Sequence, residues 1–162
     1  MKYYIVGSVG SGKSTLAIKM AKILDFPVYH LDEIVHEPAS EMKIGNIKHS
    51  DDEIDLLFRD ILKQDNFIIE DCLRERFTPA LQQVDNVIFL DLPRTLLFKR
   101  VLIRWFKQKL RLEKVNYRPT LQILRKMLSW IYEGPVDKVI NLESLIVLHN
   151  KKEINKFLET LK

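Results

Sequence analysis

Eight consecutive residues, Gly7-Ser8-Val9-Gly10-Ser11-Gly12-Lys13-Ser14, have the types and order that grip a polyphosphate. They fill every fixed position of G-x-x-x-x-G-K-[ST]. Glycines let successive backbone N–H groups curl around phosphate oxygens, the Lys13 ammonium reaches the β and γ phosphates, and the Ser14 hydroxyl is offered to Mg²⁺. The expected nucleotide-binding set is Gly7, Ser8, Val9, Gly10, Ser11, Gly12, Lys13, Ser14 and Thr15, serving ATP or another nucleoside triphosphate together with Mg²⁺.

Acids at the ends of apolar runs are the second group able to do chemistry. A hydrophobic strand that ends in a carboxylate usually supports the metal beside such a loop, generally through water. Phe67-Ile68-Ile69 runs into Glu70 and Asp71, either of which fits that role with Ser14. Asp32 closes Pro27-Val28-Tyr29-His30-Leu31 and is placed to orient an acceptor hydroxyl and take its proton, should the acceptor be a hydroxyl. Asp91 ends the run Asn86 to Leu90, where it either joins the carboxylates at the sheet edge or caps the helix beside Pro93.

The elements that must position these groups follow from the pattern. Tyr3 to Val6 is a β-rich apolar run, and Ser14 to Leu24 a helix, so the glycine loop lies between a strand and a helix N-terminus, which favours anions. Ser50-Asp51-Asp52-Glu53 is a capping box that opens a helix to about Lys63. Further strands are expected at 67–69, 86–91 and 145–148, with helices from Pro93 to about Gln108, over 120–132, and after the capping box of Asn150 and Glu153. The stretch from Glu33 to His49 has no clean period and contains Pro38 and Gly45, which predicts a loop with room for one helical turn. Gly134-Pro135 stops the 120–132 helix. Five short apolar runs alternating with helices argue for an α/β fold: a parallel sheet covered on both faces, with ligands at the carboxyl ends of the strands.

At 162 residues, 46% hydrophobic and 30% charged, the chain fits one globular domain, residues 1–162. No stretch approaches the ~18 apolar residues of a membrane span. A single thiol, Cys72, with no secretory signal pattern fits a soluble protein of the cytoplasm. The net charge of +4 is unevenly placed: Arg94 to Lys126 holds eleven Lys or Arg against one acid, Glu113. That block calls for an anionic partner, either a ligand's phosphates or a nucleic-acid backbone. Trp105, Phe106, Tyr117 and Trp130 lie within or just beyond it, where stacking on bases would place them, although their spacing also suits helix packing.

With the loop, His30-Leu31-Asp32 and Phe89-Leu90-Asp91-Leu92-Pro93 in place, the chain resembles small kinases of the adenylate-kinase-like group. Within that group it looks most like the DNA topology modulation proteins, a family of nucleotide-kinase-like proteins. Val28 to Asp32, Phe67-Ile68-Ile69, the Leu-Pro run and Asn150-Lys151-Lys152-Glu153 carry the likeness across nearly the whole chain. The resemblance implies a three-layer P-loop fold with five parallel strands in the order 2-3-1-4-5 and a basic lid-like insertion at about 105–120. In adenylate kinases V-P-x₆-R-x₃-R opens the lid, and here Pro93 is followed by Arg100 and Arg104 at that spacing. Four residues apart on a helix they share a face, so the resemblance has both guanidinium groups meeting one polyphosphate. The chain departs from its relatives at Glu70-Asp71-Cys72-Leu73, where they carry D-G-N-Y, and this leaves acceptor recognition open; Arg74 and Arg76 stand close by as groups for an acceptor anion.

These readings converge on transfer of the γ-phosphoryl group of ATP to a small acceptor such as a nucleotide, with Lys13, Arg100, Arg104 and Asp32 as the catalytic candidates. The competing expectation is a nucleotide-gated nucleic-acid-binding or regulatory protein that uses the basic 94–126 segment.

Overall fold

The computed structural model describes residues 1–36, 48–113, 119–133, 142 and 144–162. Five apolar segments form one parallel sheet: β1 (Lys2–Gly7), β2 (Val28–His30), β3 (Phe67–Asp71), β4 (Asn86–Leu90) and β5 (Leu145–Leu148). The order is β2-β3-β1-β4-β5. It reverses direction of winding beside β1, so the crevice outside the carboxyl ends of β1 and β3 is where an open α/β sheet takes its ligand.

Period-two alternation divides the sheet's side chains between two cores. Tyr4, Val6, Phe67, Ile69, Val87 and Phe89 point to one face, which α2 (Leu31–Val35), α3 (Asp51–Leu62) and the 3₁₀ segment Glu75–Gln82 cover. Phe58 of α3 and Phe77 of that segment meet there at 4.7 Å between ring centroids. Tyr3, Ile5, Ile68, Ile88 and Leu148 point to the other, covered by α1 (Lys13–Leu24) and the C-terminal helix α6 (Lys151–Glu159). A third cluster joins α4 (Arg94–Lys109) to α5 (Leu121–Tyr132) through Leu97, Val101, Trp105, Leu124 and Ile131, and Val9 of the glycine loop packs on it.

Local signals set most boundaries. The Ser50 hydroxyl accepts from Glu53 N–H while the Glu53 carboxylate accepts from Ser50 N–H, the reciprocal capping box expected. At the last helix the Asn150 side chain caps Glu153 N–H, but the Glu153 carboxylate reaches back to His149 N–H instead of closing a box on Asn150. Pro93 is the cap residue before α4 rather than part of its first turn, and Thr120 caps α5 by accepting from Ile123 N–H. One expectation fails with consequences: Leu31 and Asp32 do not end a strand. β2 stops at His30 and α2 begins at once, so Asp32 sits in a helical first turn, where an acid is favoured by the helix dipole. Pro38, Gly45 and the Gly134-Pro135 stop lie outside the described residues.

Candidate functional site

The glycine loop runs from the end of β1 into α1. Gly10 (φ +77°) and Gly12 (φ +96°) adopt backbone conformations that side chains disfavour. Gly7 needs its missing side chain for another reason: a Cβ there would lie 2.9 Å from Ser11 Oγ and 3.1 Å from Leu90 Cβ. Ser11 is buried, and its hydroxyl has no hydrogen-bond partner among the described residues. Lys13 Nζ folds back to 3.4 Å from the Ser8 carbonyl oxygen, a weak contact that leaves the ammonium at the mouth of the loop. A narrow glycine cradle, an unsatisfied hydroxyl inside it and a lightly held ammonium together fit a triphosphate.

Glu70 is the buried anchor of the site. The Ser14 hydroxyl donates to Glu70 Oε1 at 2.8 Å, and His30 Nδ1 lies 2.8 Å from the same oxygen. Parallel registry explains the meeting, because Glu70 stands beside Ile5 of β1 and His30 of β2 and shares its face with Ile68, toward α1. Burial is the strongest influence on this carboxyl and pushes its pKa up, yet the His30 hydrogen bond, the Lys13 charge and the Ser14 hydrogen bond outweigh it and hold the group below the ordinary glutamate value. The bond to Glu70 likewise raises the His30 pKa, against the opposing effect of burial. Sequence reasoning read His30 only as part of a strand; its signal was a histidine at a strand end in a chain whose neighbouring strand ends in acids.

Asp71 points the other way. Alternation turns it toward α2 and α3, where its carboxylate accepts from Arg74 N–H at 2.6 Å and pairs with the Arg74 guanidinium. Burial raises the Asp71 pKa, with Arg74 opposing. The same guanidinium pairs with Asp32, whose side chain is 75% exposed, so Arg74 bridges one buried and one open carboxylate. Leu73, at φ +65°, makes the turn that brings Arg74 back over the strand end. Asp32 and Asp71 thus meet Arg74 and not Ser14. Arg76 is taken up separately, by Asp51 and Asp55.

Arg100 and Arg104 of α4 do not converge on one target in this structure. Arg100 Nη1 donates to the carbonyls of Gly10 at 3.2 Å and Ser11 at 3.0 Å, beneath the loop, while Arg104 Nε lies 3.3 Å from Glu113 Oε1. A guanidinium that reaches the nearer loop carbonyls satisfies its donors there, and the half-exposed Arg104 finds the one acid of the basic block. Asp91 caps no helix; it lies 3.3 Å from His149 Nδ1. Of the lid-like insertion at 105–120, residues 114–118, including Tyr117, lie outside the described residues. Among the described residues no three His, Cys, Asp or Glu side chains gather as a complete metal cage. Mg²⁺ bound with a nucleotide needs none, since it keeps waters and phosphate oxygens as ligands.

Solved structures with the same architecture give this geometry its setting. A shikimate kinase from Bacteroides thetaiotaomicron aligns over 99% of this chain and 96% of its own, with a TM-score of 0.61 and 16% identity. The chain has the fold of the P-loop kinases. A protein of Chloroflexus aurantiacus described on provisional grounds as a kinase covers 99% and 95% of the two chains at a TM-score of 0.64 and 18% identity. A shikimate kinase from Acinetobacter baumannii, solved with shikimate, covers 99% and 89% at 0.62 and 14%. At these identities the likeness speaks for the fold alone. No protein-family model matches the chain, and no curated protein matches its sequence.

Proposed function

We propose that this protein is an ATP-dependent phosphotransferase that delivers the γ-phosphoryl group to a small acceptor. The observation that carries the reading is the joining of loop and strand: Ser14, at the position that offers its hydroxyl to Mg²⁺, is held at 2.8 Å by the buried Glu70. That contact favours Glu70 over Asp71 as the acid behind the metal. Asp71, tied to Arg74, takes no part in holding the metal in this reading. Ser14, backed by Glu70, would hold Mg²⁺, which when bound would supply positive charge to offset the charge that develops in phosphoryl transfer.

The chain's own residues would do the rest. Loop N–H groups and the α1 N-terminus orient the triphosphate, Lys13 moves from its weak contact with Ser8 to the β and γ oxygens, and the Arg100 hydrogen bonds keep the loop carbonyls turned away from the anion. Asp32 serves a hydroxyl acceptor as the group that takes its proton, once it leaves Arg74. Arg104 acts as a lid arginine over the nucleotide, the part that the resemblance to adenylate kinases supports; Trp105 to Lys109 of the expected insertion belong to α4. The nucleic-acid reading loses support from one observation: Trp105, expected among the stacking residues, is buried and donates its indole N–H to the Thr120 carbonyl.

The test is release of ADP from Mg²⁺-ATP across a panel of nucleoside monophosphates, sugar acids and polyols. Acceptor-stimulated turnover that Lys13→Ala abolishes in a folded protein is the expected result. A Lys13→Ala variant as active as wild type, or no stimulation by any acceptor together with no Mg²⁺-ATP binding, would sink the assignment.

A further inference from the structure

α4 has two apolar faces, and the nucleotide site uses only one. Its inner face, Leu97, Val101 and Trp105, is buried against α5 and the glycine loop. On the opposite side Ile103, Phe106 and Leu110 recur at the i, i+3, i+7 spacing of a single helical stripe and are 45%, 56% and 67% exposed. Leu112, past the helix end, is 75% exposed. Lys99, Lys107 and Arg111 border this ridge and are exposed too, while Lys109 turns toward the inner face and lays its ammonium 4.8 Å from the centroid of the Trp105 ring. The nearby acid, Glu113, is engaged by Arg104. Stability gives no reason for large apolar side chains to stand in water in a row.

We propose that this ridge is a docking surface for an anionic lipid membrane, on which the helix lies in the plane of the headgroups. Ile103, Phe106 and Leu110 would enter the boundary between headgroups and acyl chains, and the lysines on either side would reach back to the headgroup phosphates along their own methylene stems. Charge and shape select this occupant. A nucleic acid would satisfy the lysines and find one ring to stack on, Phe106, but would leave Ile103 and Leu110, which cannot stack on bases, against phosphates, and Trp105 is turned inward. A second copy of the chain would bring the same three cations face to face with these. An anionic bilayer supplies an apolar layer under a negative one, in the order that the ridge presents its complements. No helix among the described residues is long and apolar enough to cross a membrane, so the contact is peripheral.

Co-sedimentation of the full chain with vesicles decides the matter. Vesicles of phosphatidylcholine with phosphatidylserine should carry the protein down, pure phosphatidylcholine should not, and raising salt from about 0.1 M to about 1 M should release it. The double variants Phe106→Ser/Leu110→Ser and Lys99→Glu/Lys107→Glu should each lower partitioning at least about tenfold. Phe106 also meets the Trp105 ring at 5.1 Å, so a thermal melt accompanies each variant, and partitioning lost from a protein that is still folded at the assay temperature separates lost docking from lost fold. Absence of binding to the anionic vesicles, or binding that either double variant leaves intact, overturns the proposal. A single-stranded oligonucleotide that the chain retains while the vesicles carry nothing down would give the surface to nucleic acid. A dimer in sedimentation velocity that Phe106→Ser/Leu110→Ser dissolves would give it to a second copy.

Discussion

Replacing Glu70 by glutamine keeps the shape of the buried side chain and an oxygen for Ser14 and His30, but removes the charge. Each of its two 2.8 Å hydrogen bonds changes from charge-assisted to neutral, a loss of about 1 kcal/mol apiece, or about 2 kcal/mol together. Relief of desolvation, the strongest influence on this carboxyl, acts in the opposite direction, so the net change in folding stability should be no more than about 2 kcal/mol. The effect on metal-dependent binding should be specific. An acid that supports a metal from behind its ligand is typically worth ~10–100-fold in affinity, about 1.4–2.8 kcal/mol. Titration calorimetry with a non-hydrolysable ATP analogue, run once with Mg²⁺ and once with EDTA, separates the terms. Glu70→Gln should lose ~10–100-fold in the presence of Mg²⁺ and nothing in EDTA, where removing a negative charge near the phosphates can only help. An equal loss in both titrations would make Glu70 a scaffold for the loop, and no loss in either would remove it from the metal.

Three further outcomes are expected. Arg100→Ala should speed hydrogen exchange at the Gly10–Gly12 amides and weaken nucleotide binding by roughly tenfold, since it removes two hydrogen bonds that hold the loop, whereas Arg104→Ala should lower kcat with little change in affinity; the reverse pattern would restore Arg100 as a lid arginine. Asp32→Asn should keep Mg²⁺-ATP affinity and lose transfer to a hydroxyl acceptor by roughly a hundredfold, so that unchanged transfer in steady-state assays removes Asp32 from the chemistry. The Arg76 pairs hold Asp51 and Asp55 below the ordinary aspartate pKa, chiefly through the side-chain hydrogen bonds from Arg76. Depressed carboxyl pKa values contribute stability above the unfolded value, which is lost as pH falls through the folded one. Urea melts of wild type and Arg76→Ala should therefore differ by a constant amount near neutrality and converge below about pH 4; a gap that persists in acid would show that the arginine acts through packing.

The phosphate loop, the five strands and the α3 cap were legible in the sequence because each is written in contiguous residues: glycines where φ must be positive, a period of two, and a Ser-x-x-Glu before an apolar run. Even the opposition of Glu70 and Asp71 follows from alternation along β3. Which of the two faces Ser14 does not. That depends on α1 lying over the Ile5 and Ile68 face, a matter of how the crossover packs on the sheet. The end of β2 was misread because Leu31 continues the apolar run as well as a strand residue would, and only its burial beneath α3 shows that the chain has already turned into a helix. The partners of the arginines were also beyond sequence reasoning. Arg74 and Arg76 follow one strand end and Arg100 and Arg104 share one helix, yet the members of each pair find different partners, because long guanidinium side chains pair with whatever acid or carbonyl the fold brings within reach. Sequence by itself determined that this protein can cradle a polyphosphate between a strand and a helix; tertiary structure decided which acid stands behind Ser14, because neighbours across a parallel sheet are set by strand order and registry and by no residue's local sequence.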